Sequence, residues 1–139
     1  MINRRIERGI ESAHKASLNS NFPKFHLGAA VYYKGVLLAT GHNSTKTSPT
    51  QKRLNHARGF NPDDSGVINS IHAEVQCLNK IKYLDIDFSK ITVYTYRELK
   101  NGTKALAKPC PACMQYIKEL GIKNICYTTN GGIAEEYLD

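Results

Sequence analysis

The 139-residue sequence predicts an α/β fold: a three-layer α/β/α sandwich around a mixed sheet of four to five strands. Three observations carry this expectation. GAAVYY (28–33) and VLLATG (36–41) are apolar runs separated only by Lys34-Gly35, the mark of an antiparallel hairpin. ITVYTY (91–96) and NICYTT (124–129) are β-branched and aromatic, and each follows a stretch of helical character. A hairpin followed by two β-α crossovers gives a mixed sheet with helices on its faces.

The elements follow in order. Ile6, Ile10, Ala13 and Ser17 recur at helical spacing, so an amphipathic helix is expected over 3–18, ended by Asn19 to Asn21 and Pro23. After the hairpin, residues 44–69 are rich in Ser, Thr, Lys, Asn, Asp and Pro, a stretch expected to be either a functional loop or partly mobile. Asn69 or Ser70 is the expected cap of a helix running to about Lys82, with Ile71, Val75 and Leu78 on its apolar side. Pro111 fits the first position of the next helix, and Gly121 fits its stop. Nothing resembles a linker or an internal repeat, so residues 1–139 form a single domain.

Composition narrows the function classes. No apolar run reaches membrane-spanning length, which predicts no membrane partner. The N-terminus MINRRIERGIESAHK lacks the apolar core of a secretory signal. Four cysteines then predict a reducing, cytoplasmic setting, where a CxxC binds metal or does redox work. The net charge of +7 suits an anionic partner, either a phosphorylated small molecule or a nucleic acid.

The chemistry lies in two motifs. Cys110-Pro111-Ala112-Cys113 opens a helix, whose unpaired N–H groups and partial positive charge favour thiolates. A redox pair would leave His72 and Glu74 without a purpose. A structural zinc site expects a second close Cys or His pair, and the sequence has none. A catalytic zinc site needs three protein ligands and an open position, and His72 completes that set. Two residues along a helix turn a side chain by roughly 200°. His72 and Glu74 therefore share a centre only in a first turn aimed end-on at it, which requires a helix start near Ser70.

His72-Ala73-Glu74 followed by Pro109-Cys110-Pro111-Ala112-Cys113 resembles the signature of the cytidine and deoxycytidylate deaminase superfamily. The resemblance extends from about Phe25 to Thr129 and includes LGAAVYYKGVLLATGHN, similar to the family's opening hairpin with its Gly-x-Asn. It implies a cytidine deaminase-like fold, with His72, Cys110 and Cys113 as Zn²⁺ ligands and Glu74 as the catalytic proton carrier. It places Asn43, Ala73 and Pro109 at the substrate, with the Ala73 and Cys110 backbone amides on the ring. A homo-oligomer is also implied. The chain departs from the better-known branches at RELKNGTKALAK, where Asn101-Gly102 predicts an added short hairpin. NGGIAEEYLD is too short for a helix and a fifth parallel strand, and Asn130-Gly131-Gly132 predicts a turn into a short antiparallel strand.

The remaining candidates read as structure. Cys77 and Cys126 are expected in the core, and His14 and His42 at the surface or in the hairpin. Lys46, Lys52, Arg53 and Arg58, with His56 beside them, lie in the long loop, and this basic run is either solvated charge or a grip on phosphate or a nucleic-acid backbone. Three functions follow. The first is zinc-dependent hydrolytic deamination of a cytosine-type nucleoside or nucleotide. The second is deamination of cytosine or adenine within single-stranded DNA or RNA, including transfer RNA, with Tyr94 or Tyr96 as stacking platforms. The third is a zinc-stabilised binding protein without catalysis, which leaves Glu74 unused.

Overall fold

The computed structural model describes residues 4–20, 25–43, 72–99 and 103–138. The basic loop residues, His56, Ser70 and Asn101-Gly102 lie outside them. The described elements are α1 (Arg4–Ser17), β1 (Phe25–Tyr33), β2 (Val36–His42), α2 (Ala73–Asn79), β3 (Ile91–Leu99), β4 (Lys104–Ala105), α3 (Pro111–Glu119), β5 (Asn124–Thr129) and β6 (Gly132–Tyr137). A 3-10 turn, Phe88–Lys90, leads into β3.

The sheet order is β2-β1-β3-β5-β6, with β4 on β3. Among the described strands only β3 and β5 pair in parallel, so the sheet is mixed as expected. It has six strands, not four to five, because two-residue β4 pairs with Arg97 and Glu98 and GIAEEY folds back on β5. The hairpin turn matches its sequence: Lys34 and Gly35 both have positive φ, 51° and 85°, as a type I′ turn requires. Gly121, at φ 87°, stops α3.

Topology decides which face each helix takes. The β2-α2-β3 and β3-α3-β5 crossovers both step in the same direction across the sheet. Crossovers share one hand, so two steps in one direction put both helices on one face. Their N-termini then meet at the end of the sheet where β2 and β3 finish. The cores agree with this. Ala29, Val31, Val93, Ile125 and Tyr127 pack against α2 and α3, whereas Ala30, Tyr32, Tyr94, Tyr96 and Cys126 pack against α1. Alternate residues of one strand thus serve opposite layers.

Glycines set how closely the layers approach. A Cβ on Gly28 would lie 1.9 Å from the Ala13 carbonyl oxygen in α1. One on Gly41 would lie 2.5 Å from the Ala73 oxygen and 2.6 Å from the Cys77 nitrogen in α2. Cys77 and Cys126 are fully buried, as expected. Burial pushes their thiols up to about 12 and about 11. Tyr94 and Tyr96 are also buried, at 1% and 3% exposure, under α1. They have no face for a nucleic-acid base, which removes the stacking role considered for them.

Candidate active site and metal centre

Both motif helices begin on a metal-ligand type of side chain. His72 is the N-cap of α2 and Cys110 the N-cap of α3, each with extended backbone and no side-chain cap bond. The first helical bonds run from Gln76 N–H to the His72 carbonyl, 3.0 Å, and from Met114 N–H to that of Cys110, 2.8 Å. The α2 start corrects the expectation of a cap at Asn69 or Ser70. A cap preference reflects a side-chain bond to the backbone, and the His72 side chain is aimed at two sulfurs instead. The first-turn geometry required of His72 and Glu74 survives the shift, with Glu74 at the second helical position.

The imidazole Nδ1 lies 3.2 Å from Cys113 Sγ and 3.6 Å from Cys110 Sγ. All three donor atoms lie within 4.8 Å of one another. Tetrahedral zinc with ordinary Zn–N and Zn–S bonds spaces its ligand atoms about 3.5–3.8 Å apart. The trio fits such an ion. A further observation points the same way: Glu74 is 3% exposed, and its Oε1 has no hydrogen-bond partner among the described residues. A buried carboxylate oxygen without a donor is costly unless something supplies one.

Charge in the cluster is strongly coupled. The Cys110 thiol is held down to about 4, first by a hydrogen bond from Cys113 and then by His72. Cys113 is raised well above its usual value by that same Cys110 contact and by burial. One contact thus shifts the two sulfurs in opposite directions, favouring the thiolate at Cys110 and the thiol at Cys113. Burial lowers His72, but Cys110 and Glu74 outweigh it and favour imidazolium. Burial raises Glu74, against the pull of His72. A divalent metal would displace the remaining protons from Cys113 and His72.

The other predicted residues are placed as follows. Ala73 is fully buried behind Gly41, and Pro109 is buried beside Cys110. Asn43 is 4% exposed, and its Oδ1 accepts from Leu27 N–H at 2.9 Å and Ser20 Oγ at 2.5 Å. That oxygen ties the end of β2 to β1 and to the chain after α1. His14 stacks on Tyr96 at 4.3 Å between centroids, on the α1 face. Two supports escaped the sequence reading. Tyr116 Oη donates to Asn79 Oδ1 at 2.8 Å, joining α3 to α2. Gly41, read only as part of a Gly-x-Asn, is the contact that lets β2 reach α2.

Two crossover helices bring a histidine, a buried carboxylate and two cysteines to one end of a mixed sheet, a cluster with the donor set for a divalent metal. A match to the cytidine and deoxycytidylate deaminase zinc-binding region spans residues 3–129, and the chain belongs to that family. Its cofactor is zinc. No curated protein matches the sequence. Among solved structures, a cytidine deaminase from Burkholderia pseudomallei is similar at 18% identity and TM-score 0.66, over 98% of this chain and 93% of that one. A dCMP deaminase from cyanophage S-TIM5 in complex with dCMP and dUMP is similar at 23% identity and TM-score 0.61, over 91% and 83%. A cytidine deaminase from Mycobacterium leprae is similar at 20% identity and TM-score 0.54, over 93% and 91%. At these identities the likeness establishes the fold. No helix among the described residues is long and apolar enough to cross a membrane.

Proposed function

We propose that this chain hydrolyses the exocyclic amine of a free cytosine nucleoside or nucleotide to a keto group, consuming one water and releasing one ammonia. His72, Cys110 and Cys113 hold Zn²⁺. One observation carries the reading: beside a three-donor cluster, Glu74 keeps a buried carboxylate oxygen with no hydrogen-bond partner among the described residues. Three protein ligands with a carboxylate beside them is the pattern of a site with an open position, whereas a structural site closes with four. Bound zinc supplies a water acidic enough to act as nucleophile near neutral pH. Glu74 takes the proton from that water and passes it to the ring nitrogen, then carries a second proton, from the hydroxyl newly added to the ring carbon, to the departing amine. The backbone amides of Ala73 and Cys110 hold the ring, with Pro109 beside it, and Asn43 stands on the sugar side. The choice of cytosine is supported by the description of the family and by the names of the similar structures, a cytidine deaminase and a dCMP deaminase.

The test is ammonia release by the zinc-loaded protein. Substrates are cytidine, deoxycytidine, their monophosphates, adenosine, guanine and single strands containing cytosine or adenine. Release from a free nucleoside or nucleotide is expected. In Glu74→Gln the zinc stays and the rate falls by about 10²–10⁴. Release from strands alone would move the substrate to nucleic acid. Turnover by Glu74→Gln within tenfold of wild type would remove Glu74 from the chemistry.

A further inference from the structure

We propose that Glu136 is a positioning residue for the metal centre, acting with Tyr127 and Lys108 as a strut that fixes the segment leading to Cys110. This rests on the reading that His72, Cys110 and Cys113 hold zinc. The problem the strut solves is visible in the backbone. After two-residue β4, residues 106–110 run without helix or strand to the first thiol. Cys110 is held on its C-terminal side by α3, which it caps, but no helix or strand holds it on the side of this segment.

The segment is pinned in two stages. The first is backbone-centred. Ala107 N–H donates to the Thr128 carbonyl at 2.9 Å, and the Ala107 carbonyl accepts from Thr95 Oγ at 2.8 Å. Beyond Ala107 that scheme stops, because Pro109 has no N–H to offer. The second stage is the Lys108 side chain. Its Nζ lies 3.3 Å from Glu136 Oε2, and the same oxygen accepts the Tyr127 hydroxyl at 2.5 Å. Tyr127 is 7% exposed, and its ring packs in the cluster that holds Ala107, Ala112 and Cys113.

An exposed Lys–Glu pair alone contributes little, because water screens it and both chains are free to swing. Here one partner is already fixed. A charge-assisted bond from a buried phenol holds the Glu136 carboxylate in one place. Lys108 therefore meets a stationary anion two residues before Cys110. Residues behind metal ligands commonly set affinity in this way. Neither Glu136 nor Tyr127 belongs to the family motif present in this chain.

The experiment measures zinc affinity of the full chain by chelator competition, together with the visible spectrum of the cobalt(II)-loaded protein. The variants are Tyr127→Phe, Glu136→Gln and Lys108→Met, with Cys113→Ser as ligand control. Each strut variant is expected to weaken zinc binding by roughly tenfold, the low end for outer-sphere partners. Each should also shift the cobalt bands. The Tyr127→Phe, Glu136→Gln double variant should lose less than the two singles together, since both act through the one carboxylate. Should Tyr127→Phe fold poorly, Glu136→Gln and Lys108→Met, both more exposed, carry the measurement. Wild-type affinity and an unchanged cobalt spectrum in those variants, even with a lowered Tm, would overturn the proposal and leave only a fastening of β6. If zinc uptake is absent in wild type, or survives in Cys113→Ser, the zinc reading falls and the strut with it. Uptake lost only in Cys113→Ser overturns the strut alone.

Discussion

Replacing Gly41 with Ala tests whether the approach of β2 to α2 sets the site. The added Cβ would sit 2.5 Å from the Ala73 carbonyl oxygen and 2.9 Å from Cys77 Cβ, where ordinary contact begins at 3.4 Å. Strand and helix must part by about 0.9 Å at Ala73 to restore that contact. Three further bonds cross the same seam: Cys77 Sγ to the Ala39 carbonyl, Lys80 Nζ to the Thr40 carbonyl, and His42 N–H to Gln76 Oε1. All stretch if the seam opens. Overpacking of this kind costs about 1–3 kcal/mol, several degrees in Tm for a domain of this length. Ala73 lies between His72 and Glu74, so the displacement reaches both. A misplacement of about 1 Å lowers a rate by up to about 10²-fold. The assays are thermal unfolding of the zinc-loaded protein and ammonia release under kcat/KM conditions. A lowered Tm with wild-type kcat/KM would refute the reasoning, because it would mean that edge strand β2 yields and α2 stays in place.

Cys113→Ser should lower zinc content and Tm together, and chelator treatment of wild type should reproduce the loss, since metal binding and folding are coupled. Metal analysis beside a melting curve checks both. Tyr94→Phe removes the hydroxyl that accepts from Arg5 at 3.1 Å, while Arg5 keeps its bond to Glu135 at 2.9 Å. It should cost about 0.5–1.5 kcal/mol in urea unfolding and leave ammonia release unchanged, because Tyr94 lies on the α1 face. A matching fall in activity would show that the two faces are coupled. The Tyr127 hydrogen bond holds the Glu136 carboxylate below its usual range, helped by Lys108 against partial burial. That contribution is present above the unfolded carboxylate value, near 4.3, and is lost as pH falls through the lowered folded value. The stability gap between wild type and Tyr127→Phe should therefore narrow in acid. It should narrow again as pH rises through about 12, where Tyr127, raised by Glu136, ionises in the fold. A gap that is flat with pH would deny the charge-assisted bond.

The parts of the fold that could be read from the sequence are those set by local chemistry. Lys34-Gly35 needs positive φ at both positions, Pro111 suits a first helical turn, and Gly121 suits a stop, so these boundaries fell where expected. The start of α2 did not. Local preference favours Asn69 or Ser70, but a long-range demand, the meeting of His72 with two sulfurs contributed by α3, sets the helix to begin at Ala73. The roles of Tyr94 and Tyr96 were hidden for a similar reason. A Tyr in a strand serves a core or a ligand according to which face it takes, and period-two alternation does not say which layer covers that face. Strand order supplies the missing fact. Once β2, β1, β3 and β5 stand in that sequence, the shared hand of the crossovers puts α2 and α3 together and leaves α1 to cover both tyrosines. The same order explains why His72 and Cys110, 38 positions apart, meet. Each caps a helix that returns from the end of its own strand, so the site is assembled by topology and then held by small contacts that no motif records. Gly41 admits α2 from one side, Tyr116 ties α3 to α2, and Glu136 reaches the segment before Cys110 from the last strand.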